Sequence, residues 1–295
     1  MREPRFLHAA GHLLCADWAK GTYRKQSGHL GGLGLAVQLN FEVWRIHGEH
    51  DPSLEDAGEV CARLAREGIA NTVCFWDVYA NRPDFVSRTY IGILESVVKN
   101  TSDCYLSVKA PTLNFDLDLL KKVLAEASRL KAPVHFDAMA PDTVDRTFEL
   151  IDKAREIYSN LGCTLPGRWQ RSVEDADRAI AMGLRVRVVK GEWPGSPGNE
   201  TDPSEGFLNT IYRLAGKAKH VAVATDNPTV ARFSLRCLTH AATPCELELL
   251  YGLPQQPLLQ IAREFRVRSR MYVPYGQSGL PYTLKDAIRK PRIIR

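Results

Sequence analysis

Several short apolar runs in this chain end on polar side chains of types that handle charge. Lys109 lies at the end of CYLSVKA, Asp137 at the end of APVHFDA, and Lys190 at the end of RVRVVKG, which also contains Arg187. Thr225, Asp226 and Asn227 close HVAVAT, Glu248 lies within CELELLY, and Tyr272 and Tyr275 close RSRMYVPY, with Tyr282 further on. A lysine that follows an apolar run is costly to bury without a partner. Lys109, Asp137, Arg187 and Lys190 form a set that would compensate its own charges. The charge pattern alone fits a cluster around a polar or anionic cofactor, and equally an internal ion-pair network. Tyrosines where a strand gives way to a loop offer hydroxyls to a ligand while their rings pack on the core.

Such residues work together only if the fold brings the ends of the apolar runs to one place. The strand candidates are residues 36–40, 71–76, 104–110, 132–138, 162–166, 185–191, 220–225, 245–251 and 268–275, and helical patterns lie between them. This alternation calls for parallel strands joined by crossover helices, an α/β (β/α)8 TIM-type barrel. A closed barrel needs eight strands, so one of the first two candidates is expected to be auxiliary. Residues 34–295 read as the barrel, and 1–33 as an N-terminal helical extension packed on it. Helix starts are expected at Ser172 with Asp175 as a capping box, and at Asp142 or Thr143. A parallel barrel binds its ligands at the C-terminal strand ends, where the polar residues above would gather.

Composition narrows the class. The 295 residues are 44% hydrophobic, enough for one large core. The 39 basic and 34 acidic residues leave a net charge of +5, too weak to argue for nucleic acid. The densest basic cluster, Arg263, Arg266, Arg268 and Arg270, reads as the solvated side of a helix and strand. Seven scattered cysteines form no disulfide framework, so a reduced cytoplasmic protein is expected. Cys163 and Cys245 read as small core residues. The N-terminal residues carry neither a signal-peptide pattern nor a membrane span, although peripheral docking on a membrane stays open.

In order, SVK (107–109), FDA (136–138), RVVKG (187–191), ATDN (224–227), CELELLYG (245–252) and YVPYG with Tyr282 resemble the proline dehydrogenase family. The likeness runs from about residue 100 to the end of the chain. It implies a barrel that binds FAD at its C-terminal mouth, takes a hydride from the carbon next to an amine nitrogen, and passes electrons to a quinone or another acceptor. The substrate it implies is proline or a related amine or imino acid. On this likeness Asp137, Ala138, Arg187, Lys190, Gly191, Thr225 and Asn227 fall on flavin-contacting positions, with Trp193, Asp226 and Glu248 as altered members of the same set. Lys109, Leu250, Tyr272 and Tyr282 fall on substrate-lining positions. Lys109, Tyr272, Tyr282 and Arg187 carry the catalytic expectations, Arg187 as the cation that steadies negative charge on the reduced ring.

The departures are specific. Lys285 and Asp286 stand where the family has two adjacent arginines that clamp a substrate carboxylate, so the planar fork is lost and an anion is added. Pro166 stands in place of a flavin-bonding glutamine and donates nothing. Asp226 replaces a histidine, Glu192 an alanine, Trp193 a tyrosine and Glu248 a glutamine. Asp286, Glu248 or Glu192 would then meet a cationic group where arginines met a carboxylate. The alternative from another class is a flavin-free barrel serving as a binding or accessory protein.

Other motifs carry less. HGEH (47–50) lacks a third metal ligand, and the glycines of GHLGGLGL (28–35) follow no strand. His135 is expected to point away from the face that Asp137 uses and to be satisfied under a helix. Trp193 would stack on a flavin edge or cap its own loop.

Overall fold

Along most strands of the barrel, aliphatic side chains alternate with polar ones, and the alternation decides which face meets the helices. The computed structural model describes residues 52–77, 81–196, 198–253 and 255–276. Outside these lie candidate strand 36–40, the extension 1–33, HGEH, the glycine run, Tyr282, Lys285 and Asp286.

Helix α1 (Leu54–Arg66) opens the described chain on a capping box: Ser53 Oγ accepts from Asp56 N at 3.2 Å, and Asp56 Oδ2 accepts from Ser53 N at 2.8 Å. Eight strands follow: β1 (Ala70–Trp76), β2 (Cys104–Val108), β3 (Val134–Phe136), β4 (Leu161–Pro166), β5 (Arg185–Val189), β6 (His220–Ala224), β7 (Cys245–Leu250) and β8 (Arg268–Gly276). They pair in parallel, in sequence order, and close when β1 pairs with β8 as well as β2: Val73 sits between Leu106 and Val273. The eight candidates from Asn71 onward therefore make the whole barrel.

The crossover helices are α2 (Pro83–Ser96), α3 (Leu117–Leu130), α4 (Val144–Arg155), α5 (Ser172–Ala181), α6 (Pro203–Leu214), α7 (Pro228–His240) and α8 (Gln256–Phe265). Proline in the first turn starts α2, α6, α7 and α8, where its missing N–H costs nothing. Ser172 does not form the expected box. It is the first residue of α5, and its hydroxyl donates to Pro166 O at 2.6 Å, closing the turn that leaves β4.

Leu106, Val108, Phe136, Val186, Val188, Val223, Leu247, Leu249, Met271 and Val273 are buried against the helices in one apolar layer. Each such side chain contributes about 1.5–3 kcal/mol. The residues between them reach across the barrel and meet partners from non-neighbouring strands, which requires them to point inward. The interior is therefore polar, where barrels are more often filled by branched aliphatic side chains.

Its N-terminal end overturns one expectation. Arg270 is not on a solvated face; it is fully buried. Its Nε and Nη2 donate to Glu246 at 2.9 and 3.2 Å, Nη2 also to Asp103 at 2.8 Å, and Nη1 to the carbonyls of Asn71 and Asp103 at 2.7 and 3.0 Å. Tyr105 lies between two guanidinium groups, Arg270 at 3.5 Å and Arg185 at 4.1 Å from its ring centroid. The strand period sends Arg270 inward while Arg268 stays exposed and pairs with Asp103. Among the described residues no helix is long and apolar enough to cross a membrane.

Candidate active site

At the C-terminal end the strands deliver a second charged cluster, centred on Asp137, which follows β3. Its Oδ1 accepts from Arg187 Nη1 of β5 at 2.6 Å and from Ser107 Oγ of β2 at 2.7 Å. Its Oδ2 accepts from Tyr272 OH of β8 at 2.7 Å and lies 3.5 Å from Lys109 Nζ. Five strands thus converge when Glu248 of β7 is added. Its carboxylate grips Arg187 Nε and Nη2, both at 2.8 Å, in the bidentate fork that suits a guanidinium.

Burial would raise the Asp137 carboxyl, but the charges of Lys109 and Arg187 and the Ser107 hydrogen bond outweigh it. They hold the group well below the usual carboxylate range. Burial, followed by the neighbouring Asp137 charge, pushes the Tyr272 phenol well up, so it stays a donor. Lys109 Nζ also donates to Cys74 Sγ at 2.6 Å and to Phe75 O at 3.1 Å. Burial pushes the Cys74 thiol up to about 11.

Lys109, Asp137, Arg187, Glu248 and Tyr272 are brought together. Lys190 is not: it follows β5 with its side chain exposed, so it needs no buried partner. The strand ends at Val189, and the loop beyond turns the lysine to water. His135 also corrects the expectation. Positions 135 and 137 are two apart and share a face, so His135 points into the barrel with Asp137, where Nε2 meets Thr164 Oγ1 at 3.0 Å. Its ring fills the space where a Cβ on Gly162 would come within 2.5 Å of Nδ1. Burial, then the Arg187 charge, drives its pKa well below the ordinary value, so the ring is neutral.

Around the rim, Gly191 has φ +100, and a Cβ there would meet Pro166 at 2.8 Å and the Arg168 stem at 2.9 Å. Arg168 Nη1 donates to Glu192 O at 2.9 Å, Nη2 pairs with Glu200 at 3.0 Å, and its buried Nε has no acceptor among the described residues. Trp193 is exposed, and its carbonyl accepts from Trp169 Nε1 at 2.9 Å. Thr225 Oγ1 accepts from Asn227 N at 3.1 Å, while the Asn227 side chain caps α7 through Thr229 N and Val230 N. Asp226 is exposed, and Ala138 and Leu250 are half-buried at the ends of β3 and β7. Cys74 and Ser107 are not among the site residues expected from the sequence. Ser107 shares the inward face of Lys109 two residues on, and that period was the available signal.

No family model matches the chain. Over 255 residues it is 22% identical to proline dehydrogenase 1 of Bacillus subtilis subsp. natto, covering 81% of this chain and 84% of the relative. The corresponding protein of Bacillus subtilis strain 168 gives the same figures. The chain is proline-dehydrogenase-like. Among solved structures, this proline-dehydrogenase-like barrel is similar in fold to proline utilization A of Bdellovibrio bacteriovorus, with TM-score 0.66, 16% identity and 77% of this chain covered. Proline utilization A of Corynebacterium freiburgense gives 0.64, 15% and 81%. The chain spans about 30% of the length of those proteins, 30% and 29% respectively.

Proposed function

We propose that this protein is an FAD-dependent oxidoreductase that oxidises the bond between an amine nitrogen and its neighbouring carbon, in proline or a related cyclic or modified amino acid. The observation that carries the reading is the Asp137 cluster at the ligand-bearing end of the barrel, in a chain related to proline dehydrogenases. FAD, when bound, supplies the hydride acceptor; the substrate carbon loses a hydride, its nitrogen a proton, and a C=N bond forms. The electrons then pass to a quinone or another acceptor.

The donor set fits such a group. Arg187 has five N–H bonds, and among the described residues four have acceptors in Glu248, Asp137 and Thr164, which leaves one on Nη2 for a flavin edge. Arg168 adds a buried, unsatisfied Nε–H beside Gly191, a donor suited to the anionic part of a dinucleotide. Thr225 and Asn227 would hold the same part at the start of α7. In this reading Asp137 fixes Arg187 and Tyr272, whose ring lies 5.0 Å from the guanidinium carbon, and Tyr272 with Leu250 flanks the substrate. Tyr282, Lys285 and Asp286 would complete the substrate side.

The test is direct. The purified protein should show flavin absorbance or take up FAD on titration, and an amine substrate should bleach it without oxygen. A colourless protein that cannot be reconstituted would overturn the reading and leave the flavin-free alternative.

A further inference from the structure

The two buried cations of the mouth are already matched. Arg187 is held by Glu248 and Asp137, and Lys109 by Asp137, with side chains between 3% and 11% exposed. Lys109 spends its remaining donors on Cys74 and Phe75. This cluster is electrically neutral and offers a substrate carboxylate no buried counter-charge, and an unmatched buried carboxylate costs several kcal/mol.

One carboxyl near the cluster has no such match. Glu192, which follows Gly191 on the β5 loop, is half-buried, and its carboxylate has no hydrogen-bond or ion-pair partner among the described residues. Its backbone is fixed: Arg168 Nη1 binds its carbonyl, and Trp169 Nε1 binds the carbonyl of Trp193. Glu192 lies three residues past the end of β5 at Val189, at the same end of the barrel as Lys109 and Asp137, whose charges both act on it. Burial raises its pKa first, Lys109 lowers it and Asp137 raises it again, the net result of a carboxyl short of positive charge. Lys190, the nearest cation in sequence, has its side chain in solvent.

We infer that Glu192 is the counter-ion of a cationic amine substrate whose carboxylate is absent or masked as an amide, and that it sets specificity against free amino acids. The inference deepens the oxidoreductase reading and rests on it. Among the described residues a free carboxylate would meet a neutral cluster and the Glu192 carboxylate; an ammonium group would satisfy that carboxylate.

The test uses the full chain and two ring-sized probes of opposite charge, N,N-dimethylpyrrolidinium and cyclopentanecarboxylate, with binding followed by calorimetry. The wild type should bind the cation roughly tenfold more tightly, Glu192→Gln should lose most of that preference, and Glu192→Lys should reverse it. In the FAD-loaded protein, L-prolinamide should reduce flavin at lower concentration than L-proline, and Glu192→Gln should narrow the gap. A wild-type preference for the carboxylate, or a preference unchanged in Glu192→Gln, overturns the assignment. Failure to bind FAD with the probe preference intact removes the redox reading alone.

Discussion

Arg270 and Arg187 sit at opposite ends of one barrel, each buried and each gripped by a glutamate of β7. All five N–H bonds of Arg270 have acceptors, two of them backbone carbonyls, and its plane stacks on Tyr105. Arg187 is held by side chains alone and keeps one N–H in reserve. Carbonyls cannot move without moving strands, whereas side chains rearrange around a ligand. The N-terminal cluster is thus a structural plug, and in the proposed function the C-terminal one serves binding, as the two faces of such barrels divide their work.

The comparison breaks most sharply at the plug. Arg270→Ala removes both hydrogen bonds to buried Glu246, leaving it only the 3.7 Å pair with Arg185, and should cost about 3–5 kcal/mol in urea denaturation. A cost under about 1 kcal/mol would mean that water reaches Glu246. At the mouth, Glu248→Gln keeps the shape and leaves Arg187 with Asp137, so the loss should be smaller, roughly 1–3 kcal/mol. Equal losses from the two variants would abolish the distinction between the ends.

A third difference is a pH slope at the N-terminal end. Burial, then the charges of Arg185, Arg270 and Arg268, lower the His220 pKa to about 3, with Glu248 opposing. The unfolded chain takes this proton near pH ~6.5, so stability should fall as pH drops below that value, continuing towards the folded pKa. His220→Gln should flatten the urea midpoint between about pH 7 and pH 5. An unchanged slope would remove His220 as its source and point to other groups such as His135, whose neutral ring at the other cluster is subject to the same linkage.

The strands were legible because apolar residues at period two mark an outer face whatever the fold, and eight of the nine candidates form the barrel. Lys109 and Asp137 were legible because charge at the end of an apolar run is costly. Arg270 was not, since four arginines in one stretch look solvated. Its partners lie 24 and 167 residues away in sequence, in Glu246 and Asp103. His135 was misassigned by one step of the alternation that placed its neighbours correctly.

The sequence by itself determined the alternation of strands and helices, the apolar outer face and which polar residues close each strand, because these depend on local period and chemical type. Only the tertiary structure decided which charges meet. Closing the barrel brings β3, β5 and β7 together across its interior, pairs Arg187 with Glu248 and Asp137, and leaves Glu192 unmatched among the described residues. Charge compensation depends on distance in space, which the order of residues does not contain.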